Sequence, residues 1–232
     1  MKTIISIILT VGLIMSQAAL AANPKLGGSR FLPSNPKIGI LVFDGVLTSD
    51  VTAPLEVFGV ASRKTWFSNY EVITIAVDNQ NQITTEEGLK LYADTWIGAH
   101  PEVDVLLVPS SYSMKPLLEN TDLISFIKKT GAQAKWMASN CSGAFLLAKA
   151  GLLNGKKATT WAGGESGLKS QFSKVDVQFD TNVVVDDKVI TSNGSLVSYQ
   201  AALVLLSKLS SPSKAQEVSE AIQYQRFSQA AF

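Results

Sequence analysis

The hydrophobic positions of this chain fall into two patterns. Continuous apolar runs, rich in β-branched residues, lie at 38–43, 72–77, 103–108, 136–138 and 183–185. Such runs are typical of strands that are buried on both faces of a sheet. Stretches with helix-like spacing alternate with them, at 51–62, 114–129, 143–153, 195–209 and 214–224. This alternation predicts an α/β fold, a three-layer flavodoxin-like sandwich with a mostly parallel central sheet.

Two local signals refine the carboxyl-terminal half. Residues 186–188 are Asp-Asp-Lys between two short apolar runs, which predicts a hairpin turn. Ser211 is followed by Pro212, and a serine side chain caps helices while proline fits the first helical turn. The sequence therefore predicts that a tail helix begins here.

The amino terminus has the pattern of an export signal. Lys2 precedes an unbroken apolar stretch at 4–15, and a small-x-small site ends at Ala21. Residues 1–22 are therefore interpreted as a signal peptide, cut near Ala21 or Ala22, and the mature protein as periplasmic or secreted. A membrane-crossing helix needs about 20 apolar residues, so an uncleaved anchor is the weaker alternative. We expect no stable membrane insertion after cleavage.

The rest of the chain is expected to form a single domain at 37–232, preceded by an exposed polar lead at 23–36. The formal net charge is only +1, and no basic run follows the pattern of a phosphate-binding surface. Nucleic acid is therefore not an expected partner. No His, Cys and carboxylate cluster has metal-ligand spacing, so we expect neither a metal nor another cofactor.

Cys141, the single cysteine, marks the candidate site. It lies between an apolar run at 135–139 and the helix-like run that begins at Gly143, with Ser142 between them. A strand-to-helix turn would place its sulfur at the carboxyl edge of the sheet, beside the first helical amides, where thiolate is favoured. An unpaired cysteine in an exported protein is a reactive centre, an intermolecular bridge or an inert buried residue. Its polar and small neighbours favour the first.

Asp50 is the candidate acid of the same site. It follows the first mature strand, and it reaches the edge that holds Cys141 if the two strands are parallel neighbours. The alternative is that Asp50 only caps a helix that begins at Val51. Glu56, six residues further on, is expected to face another side of that helix.

Several segments resemble the DJ-1/PfpI superfamily, whose fold is class I glutamine amidotransferase-like. The matching segments are FDG at 43–45, DVTAPLEVF at 50–58, ASNCSGAFLLA at 138–148, AGLLNGKKATT at 150–160 and VITSNG at 189–194. The resemblance covers about residues 37–225. It points most directly to isonitrile hydratase and to the amidotransferase-like domains of AraC-type regulators. It implies a nucleophile elbow at Cys141, a carboxyl partner at Asp50, a catalytic hydroxyl at Ser142 and a homodimer.

The chain departs from that family pattern after Thr160, where many relatives carry a histidine and this chain has Trp161. The single histidine, His100, lies before a strand and is interpreted as a loop residue. Without an imidazole beside the sulfur, a Cys-His protease or a glyoxalase-type enzyme lacks its general base. The resemblance implies that isonitrile hydration does not depend on this histidine, so its absence affects that activity least.

The predicted oxyanion pocket also departs from the family. Ser110 and Ser111 stand where relatives commonly show a Gly-Gly pair that lends a backbone NH to the pocket. We expect either serine to present its NH there, although positive backbone dihedrals would be unfavourable for it. Tyr112 either narrows the pocket or lies on the surface. Trp161 and the pair Asn193 and Gly194 complete the predicted pocket.

The expected activity is that of an isonitrile hydratase-like hydro-lyase acting on a small molecule. If Asp50 is protonated and hydrogen-bonded to the sulfur, Cys141 thiolate would add to the terminal carbon while Asp50 donates a proton. Water would then convert the thioimidate to an N-substituted formamide, with Ser142 positioning the groups. If Asp50 is ionised, like charges would make the thiol less acidic and the site poor at nucleophilic attack. Two alternatives stay open, a redox or electrophile sensor and a ligand-binding domain that has lost catalysis.

Overall fold

The computed structural model describes residues 35–64 and 69–227, which belong to one compact unit. The strands are β1 (Lys37–Val42), β2 (Glu71–Ala76), β3 (Gln82–Thr84), β4 (Lys90–Tyr92), β5 (Thr95–Trp96), β6 (Val105–Val108), β7 (Trp136–Asn140), β8 (Lys157–Ala158), β9 (Asp176–Val177), β10 (Val183–Asp186) and β11 (Val189–Ser192). The helices are α1 (Thr48–Lys64), α2 (Met114–Glu119), α3 (Thr121–Gln133), α4 (Gly143–Lys149), α5 (Glu165–Gln171), α6 (Val197–Leu209), α7 (Pro212–Ala221) and α8 (Tyr224–Phe227). The predicted signal peptide and most of the predicted lead lie outside the described residues.

A seven-stranded sheet organises the domain, in the order β10-β11-β7-β6-β1-β2-β5. Every neighbouring pair is parallel except β10 and β11, which form the predicted hairpin. Helices α1, α6 and α7 pack together as one group, and α2, α3 and α4 as another. The predicted three-layer α/β sandwich with a mostly parallel sheet is confirmed.

The central strands are buried along most of their length. All four residues of β6 are buried, and so are the four residues of β11 and five of the six in β1. Parallel strands with helices on both faces expose neither face to water, which is why their sequences are continuous apolar runs. The hydrophobic core therefore lies on both faces of the sheet.

Some predicted elements have different bounds in the structure. The helix predicted at 114–129 is two helices, because Asn120 caps α3 by accepting hydrogen bonds from the backbone NH groups of Asp122 (3.1 Å) and Leu123 (3.0 Å). The helix predicted at 143–153 ends at Lys149, ahead of Gly151 with its φ of 81°. Apolar spacing continues through both breaks, so periodicity alone did not show them.

The predicted start of the tail helix is confirmed. Pro212 is the first residue of α7, and the Ser211 hydroxyl accepts a hydrogen bond from the backbone NH of Lys214 (3.2 Å). Periodicity did not predict β3, β4, β5, β8, β9 or α5, since elements of two to seven residues are too short to show a repeat. None of the helices in 35–64 and 69–227 has the length and hydropathy needed to cross a membrane.

The sheet edge that carries Cys141 depends on close approach of α4 to the end of β6. A Cβ atom added to Gly143 would lie 2.2 Å from the carbonyl oxygen of Val108 and 2.8 Å from that of Pro109. Both obstacles are backbone atoms, which cannot rotate away. Only glycine fits at the start of this helix.

Replacing Gly143 with alanine is expected to lower the free energy of unfolding by about 1–3 kcal/mol, because the methyl group forces α4 away from β6. Urea denaturation measures this. Gly59→Ala is the control, since no heavy atom lies within 4 Å of its added Cβ and alanine favours the helix. Equal stability of Gly143→Ala and wild type would contradict the close approach.

Candidate active site

Cys141 occupies a strained turn between β7 and α4. Its φ is 49°, in the left-handed region that residues other than glycine seldom adopt. Two contacts hold it there: the Cys141 backbone NH donates to the Ser192 carbonyl (2.9 Å), and the Thr160 hydroxyl donates to the Cys141 carbonyl (2.8 Å). The thiol is half-buried and faces a cavity. This strand–turn–helix arrangement agrees with the predicted nucleophile elbow.

Asp50 is fully buried, and its carboxylate accepts four hydrogen bonds. The backbone NH (3.1 Å) and the hydroxyl of Ser110 donate to Oδ2. The backbone NH of Ser195 (3.1 Å) and the hydroxyl of Ser198 (2.7 Å) donate to Oδ1. All four donors come from outside α1, and that helix begins at Thr48, before Asp50. The interpretation of Asp50 as only a helix cap is therefore wrong.

The carboxyl group and the thiol are neighbours across Gly194. A Cβ atom added to Gly194 would lie 2.4 Å from the Cys141 Cβ and 3.2 Å from Asp50 Oδ1. Gly194 also has a φ of 79°, so both its space and its backbone conformation call for glycine. The structure thus brings Cys141, Asp50 and Gly194 together, although β1 and β7 are not the neighbouring strands that the sequence analysis assumed, since β6 lies between them.

Ser110 connects the two groups. No hydrogen bond joins the Asp50 carboxylate directly to the Cys141 sulfur among the described residues, in contrast to the direct contact that the sequence led us to expect. The Ser110 hydroxyl instead donates to Asp50 Oδ2, and hydrogen bonding from the same side chain lowers the pKa of the Cys141 thiol. This serine therefore contacts the acid directly and affects the ionisation of the nucleophile.

The electrostatics of Cys141 and Asp50 do not favour the thiolate that the sequence predicts. Burial first, and then the negative charge of Asp50, raise the pKa of the Cys141 thiol, while hydrogen bonds from Ser110 and Ser142 lower it. Burial also raises the pKa of Asp50, against the effect of its four hydrogen bonds. The raised pKa of the thiol opposes a resting thiolate at Cys141, as the sequence analysis expects for an ionised Asp50.

Neither serine of the Ser-Ser pair offers a free backbone NH to the predicted oxyanion pocket. The NH of Ser110 donates to Asp50, and that of Ser111 donates to the Ser142 hydroxyl (3.3 Å). The Ser142 hydroxyl in turn donates to the Ser111 carbonyl (3.0 Å). The expected oxyanion role of these NH groups is therefore wrong in this arrangement. Neither Ser110 nor Ser111 has a positive φ, so the substitution of the glycines causes no such strain.

A cavity of about 540 Å³ opens above the thiol. Its lining residues are Leu47, Ser111, Tyr112, Met114, Leu118, Cys141, Ser142, Phe145, Trp161, Gln171, Asn193 and Ser195. Ser111, Tyr112, Ser142, Trp161 and Asn193 lie where the sequence predicted, whereas Ser110 and Gly194 support the thiol from outside this lining. Tyr112 is 78% exposed, so it lies on the rim and leaves the cavity open.

Sequence reasoning missed several residues of the site. Ser195 lies in the loop before α6 with a φ of 52° and donates its backbone NH to Asp50, whereas Ser198 lies in the first turn of α6 and donates its hydroxyl. The sequence carries no pattern that links these two donors. Gln171 was missed because α5, which carries it, was not predicted.

Two other predicted residues lie away from the thiol. His100 is exposed, has a φ of 51° and is absent from the lining of the Cys141 cavity, which confirms the loop interpretation. Glu56 accepts a hydrogen bond from the Tyr199 hydroxyl (2.7 Å). Burial, together with this carboxylate, raises the pKa of Tyr199 to about 12.

The comparison with protein families agrees with this geometry. The DJ-1/PfpI family model matches residues 36–208, which is most of the chain. The chain belongs to the DJ-1/PfpI family. It is 32% identical to isonitrile hydratase of Pseudomonas putida over 189 residues, covering 81% of this chain and 78% of that protein. The fold and the sequence resemblance thus lead to the same family.

This DJ-1/PfpI chain is also similar to a regulator and to a solved structure. The HTH-type transcriptional regulator GbdR of Pseudomonas aeruginosa is 22% identical over 83% of this chain and 52% of its own length. Among solved structures, a ThiJ/PfpI family protein from Pseudomonas syringae superposes with a TM-score of 0.73 at 24% identity, covering 89% of this chain and 83% of that one. The structural likeness confirms the fold.

Removing the charge of Asp50 is expected to make Cys141 more reactive toward alkylating agents. In Asp50→Asn the carboxylate charge that raises the thiol pKa is gone, so the thiolate fraction at neutral pH increases. Iodoacetamide labelling across pH 6–9, followed by intact mass, measures the rate. Glu56→Gln is the control, because its carboxylate bonds to Tyr199 instead. Slower or unchanged labelling of Asp50→Asn would contradict a charged Asp50 at rest.

Proposed function

We propose that this protein is an isonitrile hydratase-like enzyme that adds water to the terminal carbon of a small isonitrile to give an N-substituted formamide. One observation supports this most: the Ser110 hydroxyl donates to the buried Asp50 carboxylate, and hydrogen bonding from the same side chain lowers the pKa of the Cys141 thiol. That linkage supplies proton transfer without a histidine. The similarity to isonitrile hydratase of Pseudomonas putida over most of both chains supports the same chemistry.

The first half of the reaction forms a covalent thioimidate. The Cys141 thiol passes its proton to the Ser110 oxygen while Ser110 passes its own proton to Asp50. The sulfur then forms a bond to the terminal carbon of the isonitrile. A proton returns from Asp50 through Ser110 to that carbon, which gives a thioimidate, R–N=CH–S–Cys. Proton number is conserved, because the thiol proton ends on carbon.

The second half releases the product. Water adds to the thioimidate carbon, and the nitrogen takes up a proton, which forms a tetrahedral R–NH–CH(OH)–S–Cys. The carbon–sulfur bond then breaks, the hydroxyl proton moves through Ser110 and Asp50 to the sulfur, and R–NH–CHO leaves. The net change is the addition of one water molecule to R–NC. Ser142, which lines the cavity beside the sulfur and is fixed by Ser111, positions the reacting groups.

The raised pKa values of both groups suit this route. A carboxyl whose pKa is raised by burial is a stronger base toward the thiol, and a thiol whose pKa is raised holds its proton until substrate arrives. The pair therefore shares one proton, which moves between Asp50 and Cys141. The proton donor is thus Asp50 acting through Ser110, not a permanently protonated Asp50 on the sulfur.

The same electrostatics weigh against a redox sensor. Peroxide oxidises thiolates, and burial together with the Asp50 charge keeps the Cys141 pKa above its ordinary value. A ligand-binding domain without catalysis would have no need for a carboxyl group held by four donors beside the thiol. Hydration is therefore the function that the arrangement supports best.

We also propose that the mature protein is an exported homodimer. The charged and apolar pattern of residues 1–22 supports export, and the family resemblance supports the dimer. Amino-terminal sequencing of protein from the extracytoplasmic fraction is expected to begin at Ala22 or Asn23, and light scattering to give twice the mature mass. An intact Met1 on the native protein would contradict export, and a monomeric mass would contradict the homodimer.

Ser110→Ala is expected to lower kcat/KM for isonitrile hydration by about 10²–10⁴-fold, because it removes the link between Asp50 and Cys141. Chromatographic measurement of the formamide gives the rate, and Cys141→Ala gives the blank. Ser198→Ala is the matched control, since it removes a single donor to the other Asp50 oxygen. Equal losses in the two serine variants, or full activity of Ser110→Ala, would contradict the proposed relay.

A further inference from the structure

One side of the cavity is an aromatic wall formed by Phe145 and Trp161. Their ring centroids are 5.3 Å apart, and the planes are inclined by 27°, which is a stacked arrangement. Phe145 is nearly fully buried, and its other contact is an edge-on pair with Phe172 at 6.1 Å. Trp161 is 37% exposed and lines the cavity, so it is the member of the wall that a ligand can touch over a large area.

Gly164 fixes the position of the Trp161 ring. A Cβ atom added to Gly164 would lie 2.3–2.6 Å from three carbon atoms of the indole, so the ring rests directly on the glycine backbone. The Gly164 NH also donates to the Trp161 carbonyl (2.9 Å), which closes the turn between them. The φ of Gly164 is −93°, which alanine adopts readily. The glycine is therefore required for the space that the indole occupies and not for its backbone conformation.

The cavity is much larger than an isonitrile group, and most of the large side chains that line it are apolar. Leu47, Met114 and Leu118 line it together with the aromatic wall. A volume of about 540 Å³ is within the usual range for sites that enclose a whole small molecule. The remainder of the ligand must therefore fill an apolar space beside an indole, and planar aromatic groups make the most favourable contact there.

We propose that Trp161 is the specificity-determining residue of this site and that it selects ligands with a planar aromatic N-substituent, with Gly164 as its positioning residue. The proposal rests on the isonitrile chemistry proposed above. The position that holds an imidazole in many relatives is here a binding surface for the part of the substrate that does not react.

The kinetic experiment compares methyl isonitrile with benzyl isonitrile. In Gly164→Ala the displaced indole is expected to raise KM for benzyl isonitrile about two- to tenfold, the range for loss of one aromatic contact, without changing kcat. Methyl isonitrile is the reference substrate, and the benzyl-to-methyl ratio of KM is expected to rise by the same factor. Gly167→Ala, in the helix that Gly164 precedes, is the matched control, since its added Cβ meets the Phe145 ring at an ordinary 3.8 Å. Equal changes for both substrates, or no change for either, would overturn the proposal.

A binding experiment separates this proposal from the hydratase function. N-benzylformamide is titrated into Cys141→Ala and into the same variant carrying Trp161→Leu or Gly164→Ala, with calorimetry as the readout and thermal unfolding as the check on folding. Weaker binding in both double variants supports the role of Trp161, even if wild type hydrates no isonitrile. Equal binding in all three, or no binding in any, overturns that role, even if wild type hydrates methyl isonitrile.

Discussion

The site depends on a buried carboxylate that is held by donors from three separate parts of the chain. Asp50 arrives on α1, and its four hydrogen bonds come from the end of β6, from the loop after β11 and from α6. A charge removed from water is stable only if it is well hydrogen-bonded. The parallel sheet makes this possible, because it brings the ends of these elements to the edge that carries Cys141. The parallel sheet is therefore a requirement of both the fold and the site.

That carboxylate also sets the chemistry of the thiol. Burial and the charge of Asp50 raise the pKa of the Cys141 thiol. In the proposed mechanism the thiol keeps its proton until substrate arrives, and Ser110, which stands where the family resemblance implies glycine, carries that proton to Asp50. That mechanism needs no histidine. Trp161, at the position of the family's histidine, lines the cavity instead.

The sequence predicted the parts of the site that have strong local patterns. The apolar runs predicted the main strands, and the step from strand to small residues around Cys141 predicted the elbow. Asp50 was predicted from its position after the first strand, and Gly194 from the family resemblance. The assumption that the strands before Asp50 and Cys141 are neighbours was wrong, because β6 lies between β1 and β7, but all three strands are parallel and end at the same edge of the sheet.

What could not be predicted depended on side-chain direction and on short elements. Ser110 was expected to act through its backbone NH, but its hydroxyl faces Asp50, and sequence gives no signal for that choice. The raised pKa of Cys141 needs knowledge of burial and of the distance to a charge. The aromatic wall depends on the turn from Trp161 to Gly164, which precedes α5, a seven-residue helix with too few turns to show a hydrophobic period.

The most direct test of the shared proton is the rate of isonitrile hydration in mixtures of H₂O and D₂O, measured in a single turnover of the wild-type protein. Transfer from Cys141 through Ser110 to Asp50 moves two protons in one step. A curved dependence of the rate on the deuterium fraction is therefore expected. A linear dependence would mean that a single proton moves, and it would contradict the role of Ser110 between the acid and the thiol.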